Sequence, residues 1–190
     1  MQFIKQHFTQ TLEVKQSKFI AHLIPYNLYE SHLKQLKEEH PKARHFVTAF
    51  RYLNEFSQVV EHSSDDGEPK GTSGKPSLMV LQGKELIDTA VIIVRYFGGT
   101  KLGTGGLVRA YSDAVNLVLE SAELFEYKAR ESLTIVFSYS DARMVDYECE
   151  KYNVTVESKS FESEVVYTIS ATKEELETFM VALQRVVKSI

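Results

Sequence analysis

The sequence predicts an α+β protein built as two domains, and three observations carry that expectation. Strand and helix signals alternate along the whole chain, with capping residues at several helix starts. All nine glycines lie between Gly67 and Gly106, so one region of special backbone geometry is flanked by conventional structure. After residue 130 the elements follow the order βαββα, which is most of a ferredoxin-like unit. The boundary falls near Glu126–Arg130, giving domains over 1–127 and 128–190.

Taken in order, "KFIAHLI" (18–24) reads as a strand. Residues 27–40 read as a helix, with Asn27 and Glu30 at capping-box spacing and Pro41 as the stop. "HFVTAFR" (45–51) and "SQVVEHS" (57–63) form the next two strands, with Asn54 in the turn. Residues 64–76 are loop. Residues 77–82 read as a helix capped by Ser73 and ended by Gly83, with a strand as the alternative. "TAVIIVRYF" (89–97) is a buried strand rich in β-branched residues. After a glycine loop, Leu107, Tyr111, Ala114, Val115, Val118 and Ala122 make one apolar helix face. In the second half, "LTIVFSY" (133–139) is a strand. Asp141 caps a helix carrying Ala142, Val145, Cys149 and Tyr152 on one side, and an alternating hairpin follows. Thr172 and Glu175 give a capping box for a last helix with Leu176, Phe179, Met180, Leu183 and Val187 as its stripe.

The chain of 190 residues is 43% hydrophobic and 25% charged, the balance of a soluble globular protein that can bury its own core. It has no apolar run long enough to span a membrane. Residues 1–20 hold Lys5, Glu13, Lys15 and Lys18 and no apolar segment, so no signal peptide is expected. The single cysteine, Cys149, leaves no internal disulfide and fits a reducing cytoplasm; on the apolar side of its helix it is core rather than nucleophile. Residues 1–128 balance 15 basic against 15 acidic side chains, while residues 129–190 carry 7 against 11. Any anion site is therefore local.

Two nucleotide patterns fail. "GTSGKP" (71–76) has proline where a P-loop needs its first glycine and its Ser or Thr, at positions 69 and 76. In the glycine loop, Gly103 and Gly105 are followed by Val108 where a dinucleotide fingerprint needs a third small residue. What remains is a loop that leaves a strand and opens a helix, whose free amides and dipole favour an anion. Lys101 and Arg109 add charge, and Arg95 or Lys75 joins them if the two glycine loops meet. A tight turn with glycines for geometry is the competing reading. Asp65, Asp66 and Glu68 are read as a solvated turn or a hard-cation site, without calcium-loop spacing; alternatively Asp65 or Asp66 pairs with Lys101 or Arg109 and braces the loops. His45 and His62 can be drawn into a triad with Ser63 or Ser73, but no G-x-S-x-G elbow exists. The aromatic residues Phe19, Phe46, Phe50, Tyr52, Tyr96 and Phe97 are core or a stacking surface for bases.

Four stretches together resemble the IMPACT/YigZ family in order and spacing: "SKFIAHL" (17–23), "ARHFVTAFR" (43–51), "SDDGEPKGTSGKP" (64–76) and "VRYFGGTKLGTGGLVRAYSDA" (94–114). The resemblance implies a first domain like domain two of a small-subunit ribosomal protein. It implies a ferredoxin-like second domain similar to the last domain of elongation factor G, and hence RNA or ribosome contact. The expectation is a non-enzymatic cytoplasmic binding protein near translation, without cofactor, metal or membrane. Lys70, Lys75, Lys101 and Arg109 would supply charge; Gly98, Gly99, Gly103, Gly105 and Gly106 would allow close backbone approach; Asp65 and Asp66 would order the loops. An enzyme acting on a phosphorylated small molecule and a protein-interaction module are the alternatives.

Overall fold

The computed structural model describes residues 1–189. The chain forms two units, Met1–Tyr127 and the part from Lys128 onward. The first runs β1 (Gln2–Phe3), β2 (Phe8–Val14), β3 (Ser17–Pro25), α1 (Tyr29–Glu39), β4 (His45–Leu53), β5 (Val59–Ser64), α2 (Gly74–Gly83), β6 (Thr89–Tyr96), α3 (Thr104–Glu120) and β7 (Phe125–Glu126).

Its five-stranded sheet has the order β2-β3-β6-β4-β5, with every neighbouring pair antiparallel. Strand β6 is central and buried from Thr89 to Arg95. Val91 and Ile93 join the core under α2 and α3, while Ala90, Ile92 and Val94 join the core with Leu36 of α1. Covering both faces explains why this strand is continuously apolar instead of alternating. The apolar face read on α3 is buried from Leu107 to Val118.

One strand is added and two sequence expectations change here. Strand β2 pairs with all but the last two residues of β3, from Phe8 opposite Leu23 to Val14 opposite Ser17, yet its edge position leaves it largely exposed and its pattern weak. The Asn27–Glu30 capping box does not form. A 3-10 turn occupies Tyr26–Leu28, the N-cap is Leu28 without side-chain capping, and Ser31 Oγ donates to the Leu28 carbonyl at 2.9 Å. In the second unit, Asp141 precedes its helix but accepts from Ser138 Oγ, not from a helix amide.

That second unit runs β8 (Arg130–Phe137), α4 (Ala142–Lys151), β9 (Thr155–Phe161), β10 (Val165–Thr172), α5 (Lys173–Leu183) and β11 (Lys188–Ser189). The sheet order β11-β8-β10-β9 is antiparallel throughout. The two-residue β11 completes a ferredoxin-like unit, and is too short to give a sequence signal. Ile135, Tyr167, Ile169 and Phe179 centre its core. Cys149 is buried there, and burial, with Asp146 nearby, pushes its thiol up to about 11, so it is no nucleophile. The Thr172–Glu175 capping box forms in both directions. No helix among the described residues is long and apolar enough to cross a membrane.

Four histidines gather on the first unit. His7 Nε2 lies 3.0 Å from His22 Nδ1, the His7 and His32 rings are 5.3 Å apart, and His40 Nδ1 lies 2.8 Å from the Tyr96 hydroxyl. Burial, then the neighbouring His7 and His40, push His22 down to about 4 from its ordinary 6.5. Below pH 6.5 the unfolded chain therefore binds more protons at this position than the folded chain. Stability contributed by neutral His22 falls as pH drops from about 6.5 to about 4, and levels off below that. Urea denaturation should show a loss of about 2–3 kcal/mol between pH 7 and 4.5, and His22→Gln should flatten that profile. In the second unit, Thr172→Ala should cost about 1 kcal/mol in the same measurement, with Thr172→Ser restoring most of it.

Candidate anion-binding site

The acidic loop after β5 is wound around Asp65. Its Oδ2 accepts from the Gly71 amide at 2.7 Å, and its Oδ1 accepts from the Ser73 and Gly74 amides at 3.1 and 2.8 Å. Asp65, not the side chain of Ser73, therefore caps α2. Partial burial raises its carboxyl, but the three amides outweigh that and hold it below its ordinary value. Asp66 Oδ2 accepts from the Phe46 amide at 2.6 Å, and its carbonyl lies 2.8 Å from His45 Nδ1. Neither aspartate forms an ion pair with Lys101 or Arg109.

The bracing ion pair comes from Glu68. It is 8% exposed, and its Oε1 accepts from Arg95 Nη1 on β6 and, at 2.8 Å, from the Tyr111 hydroxyl on α3. Arg95 is 5% exposed and Tyr111 fully buried. Burial, then the Glu68 charge, push the Tyr111 phenol up, which keeps it a donor. Sequence reading weighed Glu68 as part of a solvated turn or as a cation ligand, not as the partner of a buried cation. The available signal was Arg95 itself, a lone cation ending a buried apolar strand, which requires a partner.

The glycine loop joins β6 to α3. A Cβ on Gly98 would stand 2.0 Å from the Gln16 carbonyl carbon, and the Gly98 amide donates to Ser17 Oγ at 3.1 Å. Its close approach is thus to the β2–β3 turn of the chain itself. Gly99 and Gly103 have φ of +88° and +74°, the left-handed region that favours glycine. Gly103 is the N-cap of α3, so no side chain caps the first amides of that helix. Gly105 faces open space, and Gly106 packs against Leu102.

Between the two loops lies a pocket of about 350 Å³. Glu68 and Pro69 come to it from the acidic loop, Arg95 and Phe97 from the end of β6, and Lys101 and Gly103 from the glycine loop. The other expected cations do not converge. Arg109 lines a separate cleft with Lys15, Gly106 and Asp113, while Lys70 and Lys75 are exposed and line neither space. Nor is a triad assembled: His45 is held by the Asp66 carbonyl, His62 stacks on Phe50 at 5.1 Å, and Ser73 is fully buried. No group of three or more His, Cys, Asp or Glu among the described residues is placed to hold a metal. Removing one partner of the buried pair should be severe. Glu68→Ala should destabilise the first unit by about 3–5 kcal/mol in urea, whereas Glu68→Leu with Arg95→Met should lose far less than either single change.

The family model of the Impact N-terminal domain matches residues 15–119, and a domain of unknown function, DUF1949, matches 135–186. An IMPACT family member of Haemophilus influenzae is 36% identical over 170 residues, which is 88% of this chain and 82% of that protein. IMPACT family member YigZ of Escherichia coli is 41% identical over 110 residues, 56% of this chain and 54% of that one. A crystal structure of a hypothetical protein superposes on all of this chain and 95% of its own, with a TM-score of 0.76 and 26% identity. Residues 15–119 contain the acidic loop, Arg95, the glycine loop and Tyr111 together, and with these matches the chain belongs to the IMPACT family.

Proposed function

We propose that this chain is a non-catalytic, cytoplasmic binding protein that acts in or near translation, contacting RNA or the ribosome at the glycine-loop end of its first domain. The translation setting is what the resemblance to the IMPACT family implies, and it is part of this proposal. The contact reading rests on one observation. The N-terminus of α3, uncapped by any side chain, opens on a pocket that Arg95 and Lys101 also line. Helix amides and cations in one place suit a phosphate oxygen. Binding is favoured over catalysis because the pocket's carboxylate, Glu68, already accepts from Arg95 and Tyr111 and is no free base.

The test is co-sedimentation with ribosomes and with bulk RNA. Wild type should be retained at low salt and released as salt rises, since each neutralised phosphate adds about 0.7–0.9 to the slope of log affinity on log salt. Lys101→Glu should weaken retention and flatten that slope, and Arg109→Glu, acting from the neighbouring cleft, should have the smaller effect. Equal retention of wild type and Lys101→Glu, or no retention of either at low salt, sinks this reading.

A further inference from the structure

The inter-loop pocket holds more than positive charge. Phe97 is 54% exposed in its lining, and its ring centre lies 5.8 Å from the Arg95 guanidinium carbon. Arg95 lies over the Phe19 ring at 5.3 Å and gives Nη1 to Glu68. Its Nε is buried with no acceptor among the described residues. A buried cationic donor left without a partner is costly and rare in a native fold. Arg95 as a residue belongs to the lining of the same pocket that receives the uncapped start of α3, through Gly103 and Thr104.

The charges select the size of the anion. Arg95 and Lys101 against Glu68 leave one net positive charge, to which the helix end adds about half a charge. That suits a single phosphate. It does not suit a di- or triphosphate, in keeping with the failed P-loop and dinucleotide patterns. Pro69, Phe97 and Leu107 add apolar wall, and about 350 Å³ is within the range of small-ligand sites.

We propose that this pocket binds one nucleotide unit, its phosphate on the α3 amides and Lys101 and its planar base against Phe97. The inference rests on the anion reading above and narrows it to a nucleoside monophosphate. The unit is either free or the phosphorylated end of an RNA strand.

Isothermal titration of the full chain with AMP, UMP, adenosine, inorganic phosphate and a tetranucleotide with or without 5′-phosphate tests it. AMP or UMP should bind, with adenosine and phosphate at least about tenfold weaker. Phe97→Ala should weaken the nucleotide by at least about fivefold, the lower range for loss of one base stack. Lys101→Gln should weaken it by a similar factor. Both side chains are exposed, so unchanged melting temperatures should accompany these losses. A 5′-phosphorylated tetranucleotide that outcompetes AMP identifies an RNA end as the source, and equal affinity identifies the free nucleotide. The proposal is overturned by no nucleotide binding at about 1 mM, by phosphate binding as tightly as AMP, or by both variants binding like wild type. RNA retention without nucleotide binding removes this inference alone, while nucleotide binding without RNA retention removes only the RNA reading.

Discussion

The carboxylate of Glu68 ties together three segments far apart in the chain. It stands in the loop before α2, yet it takes hydrogen bonds from Arg95 at the end of the central strand and from Tyr111 inside α3. All three residues are buried, so the ion pair acts in a medium where charges interact strongly and where an unpaired one is expensive. The arrangement fixes the acidic loop against the sheet and sets where the glycine loop leaves β6. The walls of the pocket follow from that placement, because Glu68 and Arg95 are themselves part of its lining.

Around this pair the loop is ordered by amides instead of salt bridges. Asp65 gathers the amides that open α2, and Asp66 fastens the other side to the start of β4. These carboxylates are occupied structurally, which leaves the cations nearby free of them. The glycine loop divides its labour in the same way. Gly98 packs on the β2–β3 turn, Gly99 and Gly103 supply left-handed backbone, and Gly103 leaves the helix end uncapped. A tight turn and an uncapped helix end are therefore supplied by one segment, and the two readings of that loop are not exclusive.

The two units differ in how their stability is built. The first relies on a sheet covered on both faces, with a buried ion pair at one end and a histidine cluster on the α1 face. Because burial holds His22 below its ordinary value, protonation at low pH costs this domain stability, which couples it to acid. The second is an apolar core under one four-stranded sheet, with a complete capping box at α5.

Local signals determined a good deal. The β-branched run of β6, the apolar faces of α3 and α5, the Thr172 box and the turn-and-cap character of the glycine loop are all periodic or adjacent in sequence. The family likeness was legible for the same reason, in contiguous motifs. Edge strand β2 and the two-residue β11 were not, because exposed or very short strands carry almost no pattern. The site was the least legible part. Lys70, Lys75 and Arg109 lie outside the pocket that Lys101 lines, while Arg95, read from the sequence as joining only if the loops met, lies in it. Glu68 lies 27 residues from Arg95 and 43 from Tyr111, a separation with no periodicity to reveal it. Only strand order and helix packing decide which charges meet, and burial then decides which of them must.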